Sequence, residues 1–303
     1  MLNARVSPVP VVFPLVVGIV AVSFSSIFIK WSTAPVSIQG MYRLLLTLLL
    51  MTPFLFKHVR FIKKVTLKQY VLLFLSGLFL ALHFLFWMGS LKLTTVASST
   101  ILLSLQPVFV MIGAYLLFKE KTPVQLVYGM VIAMIGAMMI GWGDIGVSAE
   151  NLMGDALSVL GTIVVAIHML IGQKLMKEVP SFLYSYLVFF FAVAVFAVYN
   201  LSVGVPMTGY GENDWKIFVL LAIVPTVFGH VLFNWLLTYI SASTISIAIL
   251  GEPVGASILA YFLLGEQLHW FQFLGGALVL CGLYYVLYRK PVAVEQRDEM
   301  FSA

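Results

Sequence analysis

Glu252 stands in the middle of an apolar stretch long enough to cross a bilayer, directly before Pro253. A charged side chain at that depth costs roughly 2.5–3.5 kcal/mol on insertion scales, so it needs a partner or a water-filled cavity. The proline removes a backbone donor and disturbs the turn before it. The pattern occurs once more upstream, with Gln106-Pro107 in place of Glu252-Pro253. In both copies a glutamate follows the proline by thirteen residues, Glu120 and Glu266, and a glycine follows nine residues later, Gly129 and Gly275. Exchange of an amide for an acid at equivalent positions makes Glu252 the leading candidate for proton coupling. A permanent pair with Arg43, or a protonated acid bonded to the broken backbone at Pro253, is the competing reading.

Few other ionisable side chains lie deep within the apolar runs. Arg43 sits near one end of the second run, where it could meet a substrate carboxylate, or snorkel to the interface. His83, His168 and His230 lie deep in theirs, and a histidine can change charge near neutral pH. His230 and Asn234 are four apart and share a helix face, as do His83 and Trp87. These pairs suit the wall of a cavity. Trp235, like Trp87, could stack on a solute or anchor at the interface. Glu120 and Glu266 read as helix-end residues, and Gly129, Ala133 and Ala137 form a small-residue stripe for close packing.

These residues need elements to hold them. Of 303 residues, 62% are hydrophobic and 10% charged, against about half and about a quarter in a soluble domain. The chain is an integral membrane protein. Ten runs are long enough to cross about 30 Å of hydrocarbon, near residues 9–30, 38–56, 69–91, 95–118, 123–142, 153–173, 180–201, 215–238, 243–264 and 270–288. The first reads as a spanning helix, not a cleaved signal peptide. With the N-terminus in the cytoplasm, 13 of the 17 Lys and Arg fall inside and only Lys30, Lys92 and Lys216 fall outside. The asymmetry puts both termini inside. The net charge of +5 therefore reports topology and implies no nucleic-acid partner.

The fold class expected is an all-α membrane protein of ten transmembrane helices in two inverted five-helix repeats. Residues 1–142 form the first repeat, 143–152 a linker, 153–290 the second repeat and 291–303 a cytoplasmic tail. His83 aligns with His230, Pro107 with Pro253, Glu120 with Glu266 and, more weakly, Pro35 with Pro180. Five crossings is an odd number, so the second copy is upside down. Inverted repeats place a binding site at their interface near the midplane and support alternating access.

The segments PVFVMIGAYLLFKEKTPVQLVYGMVIAMIGAMMI and PVGASILAYFLLGEQLHWFQFLGGALVLCGLYYV, with Arg43 in GMYRLLLTLLL, resemble the drug/metabolite transporter superfamily, specifically its ten-helix EamA-type members. The resemblance implies a compact bundle around a central cavity that exports small metabolites, amino acids or their derivatives among them.

The expected function is thus a secondary carrier of the cytoplasmic membrane, with Arg43, His83, Trp87, Gln106, His230, Asn234, Trp235 and Glu252 as candidate substrate-binding or cavity-lining residues. Pro107 and Pro253 are the expected helix breakers. The partners expected are a small-molecule solute and the lipid bilayer. One chain suffices for the fold, and larger assemblies stay open. A passive channel or facilitator is the alternative. An intramembrane lipid-modifying enzyme would need clustered acids, and these are scattered singly. No Gly-x-x-x-x-Gly-Lys-Ser/Thr, His-Glu-x-x-His or Cys-x-x-Cys pattern occurs, so neither a phosphate loop nor a metal site nor another cofactor is expected.

Overall fold

A computed structural model describes residues 7–94, 96–140, 148–265 and 267–288. Glu266, Arg5, Arg289, Lys290, Arg297, the tail 291–303 and residues 143–147 of the expected linker lie outside the described residues. Among the described residues eight helices are long and apolar enough to cross a membrane: α1 (Val12–Trp31), α2 (Val36–Ile62), α3 (Leu67–Leu93), α4 (Ser98–Phe118), α6 (Ala149–Leu175), α7 (Ser181–Val203), α8 (Glu212–Leu236) and α9 (Ala242–Leu264). Two shorter apolar helices, α5 (Val124–Ile140) and α10 (Trp270–Tyr288), bring the number to ten. All ten coincide with the runs read from the sequence. Large apolar side chains such as Phe56, Phe262 and Trp270 stay on the outside, where lipid takes the place of water.

Local chemistry sets the ends. Thr66 and Gln69 form a reciprocal capping box at the start of α3. Ser148 caps α6 and Ser241 caps α9 through the backbone N–H three residues on, satisfying donors that the helix itself leaves open. Pro35 and Pro180 precede α2 and α7 with nearly the same backbone angles. Lys119 and Gly265 end α4 and α9 in the left-handed region, at φ 56° and φ 70°. Gly265 adopts this without cost, whereas Lys119 holds it as a non-glycine residue. The duplicated pattern therefore extends to the turns.

The helices that carry Pro107 and Pro253 are broken in the same way. The first half of α4 ends at Leu103 and the second begins at Gln106. In α9 the halves are Ala242–Ile249 and Glu252–Leu264. At each break the hydrogen bonds tighten to three-residue spacing, Leu105 N–H to Leu102 and Leu250 N–H to Ile247. Pro107 and Pro253 are the second residues of the new half-helices, where a missing N–H goes unnoticed. Gln106 and Glu252 thus open half-helices inside the bundle.

The two five-helix units interleave. The main interfaces are α3 with α6, α5 with α10, α3 and α2 with α7, α1 with α8, and α4 with α6 and α9. Each joins one helix of the first unit to one of the second. The α5–α10 pair packs backbone on backbone. A Cβ at Gly136 would lie 2.5 Å from the Gly275 carbonyl oxygen, and one at Gly275 would lie 2.6 Å from that of Gly136. Gly129 and Gly282 repeat the arrangement seven residues along. Ala133 and Ala137 of the expected small-residue stripe are buried with them.

Candidate functional site: a central polar chamber

A chamber opens inside the bundle. Its walls come from α1, α3, α4, α6, α8 and α9, three helices from each unit. The polar and aromatic lining is Ser25, His83, Trp87, Gln106, His168, His230, Asn234 and Glu252; Val22, Leu103, Val165, Met169, Phe233, Leu237 and Ile249 supply the apolar part. A second, smaller space lies where the breaks of α4 and α9 meet, bounded by Ser104, Gln106, Pro107, Ser246, Glu252 and Pro253 among others. Gln106 and Glu252 border both.

Glu252 is 6% exposed. Its backbone carbonyl accepts from the Ser23 hydroxyl at 3.3 Å, but its carboxylate hydrogen-bonds to no described residue and forms no ion pair with Arg43. The first turn of a helix favours negative charge through its free N–H groups. Its counterpart Gln106 donates to the Met169 sulfur at 2.7 Å. Asn234 donates to the Ser185 hydroxyl at 3.2 Å.

The three histidines are held differently. His83 Nδ1 donates to the Gly161 carbonyl at 3.0 Å, because a carbonyl oxygen can only accept. Nε2 of the neutral ring is then an acceptor. The His83 ring lies parallel to Trp87, with an interplanar angle of 5°. His168 Nδ1 lies 2.9 Å from the Ser76 hydroxyl and 3.1 Å from the Ser76 carbonyl, and the same hydroxyl meets the Tyr184 phenol at 2.7 Å. His230 hydrogen-bonds to no described residue and meets the Phe84 ring edge-on at 5.1 Å.

Arg43 does not reach the chamber. It is fully buried behind the wall, with its guanidinium carbon 4.2 Å from the Phe84 ring centroid. Nε donates to Thr226 at 3.0 Å and Nη1 to Ser25 at 3.4 Å. Thr226 belongs to a π-helical stretch, Ala222–Val231, that interrupts α8. Trp235 also lies off the chamber, packed against Tyr239. Of the eight candidate lining residues, six meet around one space and these two do not.

His168 joins the wall from a signal the sequence carries. Gly154, Ser158, Gly161, Val165, His168 and Gly172 recur at three- and four-residue steps, one face of a helix. That face packs against Leu93, Trp87 and Tyr184, so His168 has to point inward. Ser25 and Met169 carry no comparable signal. Glu120 accepts from the Gln173 side chain at 2.9 Å, and Gln173 in turn accepts the N–H of Ala242 at the start of α9.

Ten apolar helices among the described residues, in two interleaved units around a polar chamber, define a multi-pass membrane protein. The EamA-like transporter family matches residues 10–142 and 152–288, one match per unit, and the chain belongs to that family. An uncharacterized transporter of Archaeoglobus fulgidus is 28% identical over 193 residues, 63% of this chain and 68% of that protein. The uncharacterized transporter YetK of Bacillus subtilis is 27% identical over 206 residues, 65% of this chain and 61% of that one. A solved crystal structure shares the fold with a TM-score of 0.76 at 14% identity, covering 91% of this chain and 95% of the other.

Proposed function

We propose that this chain is a secondary carrier of the cytoplasmic membrane, with both termini inside, that exports small metabolites such as amino acids or their derivatives by alternating access. The observation that carries this reading is Glu252: a buried carboxylate with no hydrogen bond or ion pair to a described residue, at the break of α9, on a chamber built by both units. A buried acid left unpaired inside a bilayer is expensive, and exchange of a proton or a solute at that place accounts for its presence. Because each main interface joins helices of the two units, the moving bodies in this reading are mixed sets of helices from both repeats.

The test is reconstitution into vesicles with an imposed proton gradient. A panel of amino acids and derivatives is offered, and accumulation is followed with and without a protonophore. A carrier coupled to protons accumulates solute against its gradient and loses that ability with the protonophore. Glu252→Gln removes the response to the proton gradient. Flux that only equilibrates, with and without the gradient, identifies a passive facilitator and overturns the reading.

A further inference from the structure

We infer that the chamber takes a solute carrying a cationic nitrogen next to an apolar or aromatic body, and that Glu252 is the group that receives the cation. This rests on the reading of the chamber as a solute site.

The charge inventory of the wall carries the inference. Among the described residues the lining holds one carboxylate, Glu252, and no lysine or arginine. Glu252 has unused acceptor capacity on both carboxylate oxygens. An ammonium group entering the chamber would complete those hydrogen bonds, and charge-assisted bonds of this kind are roughly twice as strong as neutral ones. The basic group that could have received a carboxylate is turned away. The Arg43 guanidinium donates to Thr226 through Nε and to Ser25 through Nη1 and is covered by the Phe84 ring; its Nη2 has no partner among the described residues, but the side chain is fully buried and does not line the space.

The histidines do not replace it. His83 and His168 have Nδ1 committed to Gly161 and Ser76. His230 is free of hydrogen bonds and available to a neutral polar group of the solute. Gln106, at the position equivalent to Glu252, offers an amide oxygen beside the same space, a second acceptor for an ammonium. The parallel His83 and Trp87 rings together with Leu103, Phe233 and Ile249 give the body of the solute an apolar and aromatic surface. Trp87 is the better ring for a cation face. A free carboxylate on the solute finds no lysine or arginine among the described lining residues and meets Glu252.

Phenethylamine, phenylalanine and phenylpropionate separate the charges, because all three carry a phenyl ring on a short chain. They bear an ammonium alone, both charges, and a carboxylate alone. Binding to the purified full-length chain is read as a concentration-dependent rise in its unfolding temperature and by titration of tryptophan fluorescence. Phenethylamine binds at least tenfold more tightly than phenylpropionate, with phenylalanine between them. Glu252→Gln weakens phenethylamine about 10- to 100-fold, the worth of a hydrogen bond to a charged group, and removes the preference. Glu252→Asp keeps the charge, and retains the order of the three probes with weaker binding.

Phenylpropionate binding as tightly as the amine, or a Glu252→Gln protein that folds and keeps the preference, overturns the assignment while leaving the chamber as a solute site. Failure of all three probes to bind overturns the assignment as well. Absence of gradient-driven flux for every solute tested would remove the carrier reading separately.

Discussion

Nε of Arg43 donates to the Thr226 hydroxyl over 3.0 Å, and that hydroxyl donates in turn to the Leu221 carbonyl, five residues back along α8. A helix of the first unit is thereby bonded to the π-helical stretch of the second. π-turns are rare and persist where something holds them.

Arg43→Lys keeps the charge and loses the planar fork, so it forfeits the paired contacts to Thr226 and Ser25. Stability falls by about 1.5–3 kcal/mol, the range for hydrogen bonds to charged groups, read by thermal unfolding of the purified protein. In a cycle with Thr226→Val the two changes are not additive, because they remove one shared bond. Additive losses would show that Arg43 works elsewhere.

Asp214, 6% exposed at the start of α8, accepts from the Ser32 hydroxyl, the Thr33 N–H and hydroxyl, and the Ala34 N–H at 2.7–3.3 Å. At the start of α3 an exposed pair offers the comparison: Gln69 donates to Glu178 at 2.6 Å. Asp214→Asn costs about 1.5–3 kcal/mol. Glu178→Gln costs about 0–1 kcal/mol, as solvent-exposed charged contacts do. Chemical unfolding of the two variants side by side checks the ranking.

Gly136→Ala and Gly275→Ala each force a methyl group onto the facing backbone, at 2.5–2.6 Å from a carbonyl oxygen. Backbone has nowhere to go without parting the helices, so each costs about 1–3 kcal/mol. Gly276→Ala, adjacent in sequence, meets nothing closer than a Val254 methyl at 3.8 Å and changes stability by less than about 0.5 kcal/mol. Equal effects at Gly275 and Gly276 would contradict the close α5–α10 contact.

Ser76→Ala removes the hydroxyl that joins His168 to Tyr184 and leaves the buried Tyr184 phenol without that partner. A loss of about 1–3 kcal/mol follows. Ser257→Ala, whose hydroxyl only bonds back to the Pro253 carbonyl in its own helix, costs little. Unfolding temperatures of the two proteins, compared with the parent, test the difference.

Much of this architecture was legible in the residues themselves. Hydrophobic length located all ten helices, because a bilayer demands about twenty apolar residues whatever the packing. The Gln106-Pro107 and Glu252-Pro253 pairs located the breaks, because a residue that cannot donate needs a helix start. His83, Trp87, Gln106, His230, Asn234 and Glu252 were read as wall residues from depth and shared faces, and the structure gathers them around one space. Arg43 and Trp235 had the same depth signal and lie off it. Depth says how far along the helix a side chain sits; only the neighbours decide which way it turns. The interleaving of the units was illegible too. Internal repetition tells which segments correspond, not which of them touch. The π-stretch around Pro225 and Gly229 left no periodic trace, and the bond it takes from Arg43 comes from a helix distant in sequence.

That stretch has a geometric consequence for everything after it. Each residue in a five-step turn advances less around the axis than one in a four-step turn, so the part of α8 beyond Val231 is dialled to a different compass bearing from the one an unbroken helix would give. Phe233, Asn234 and Leu237 owe their view of the interior to that offset. Were the stretch to rewind, those three side chains would swivel away together, and the space would change its character without any helix leaving its place.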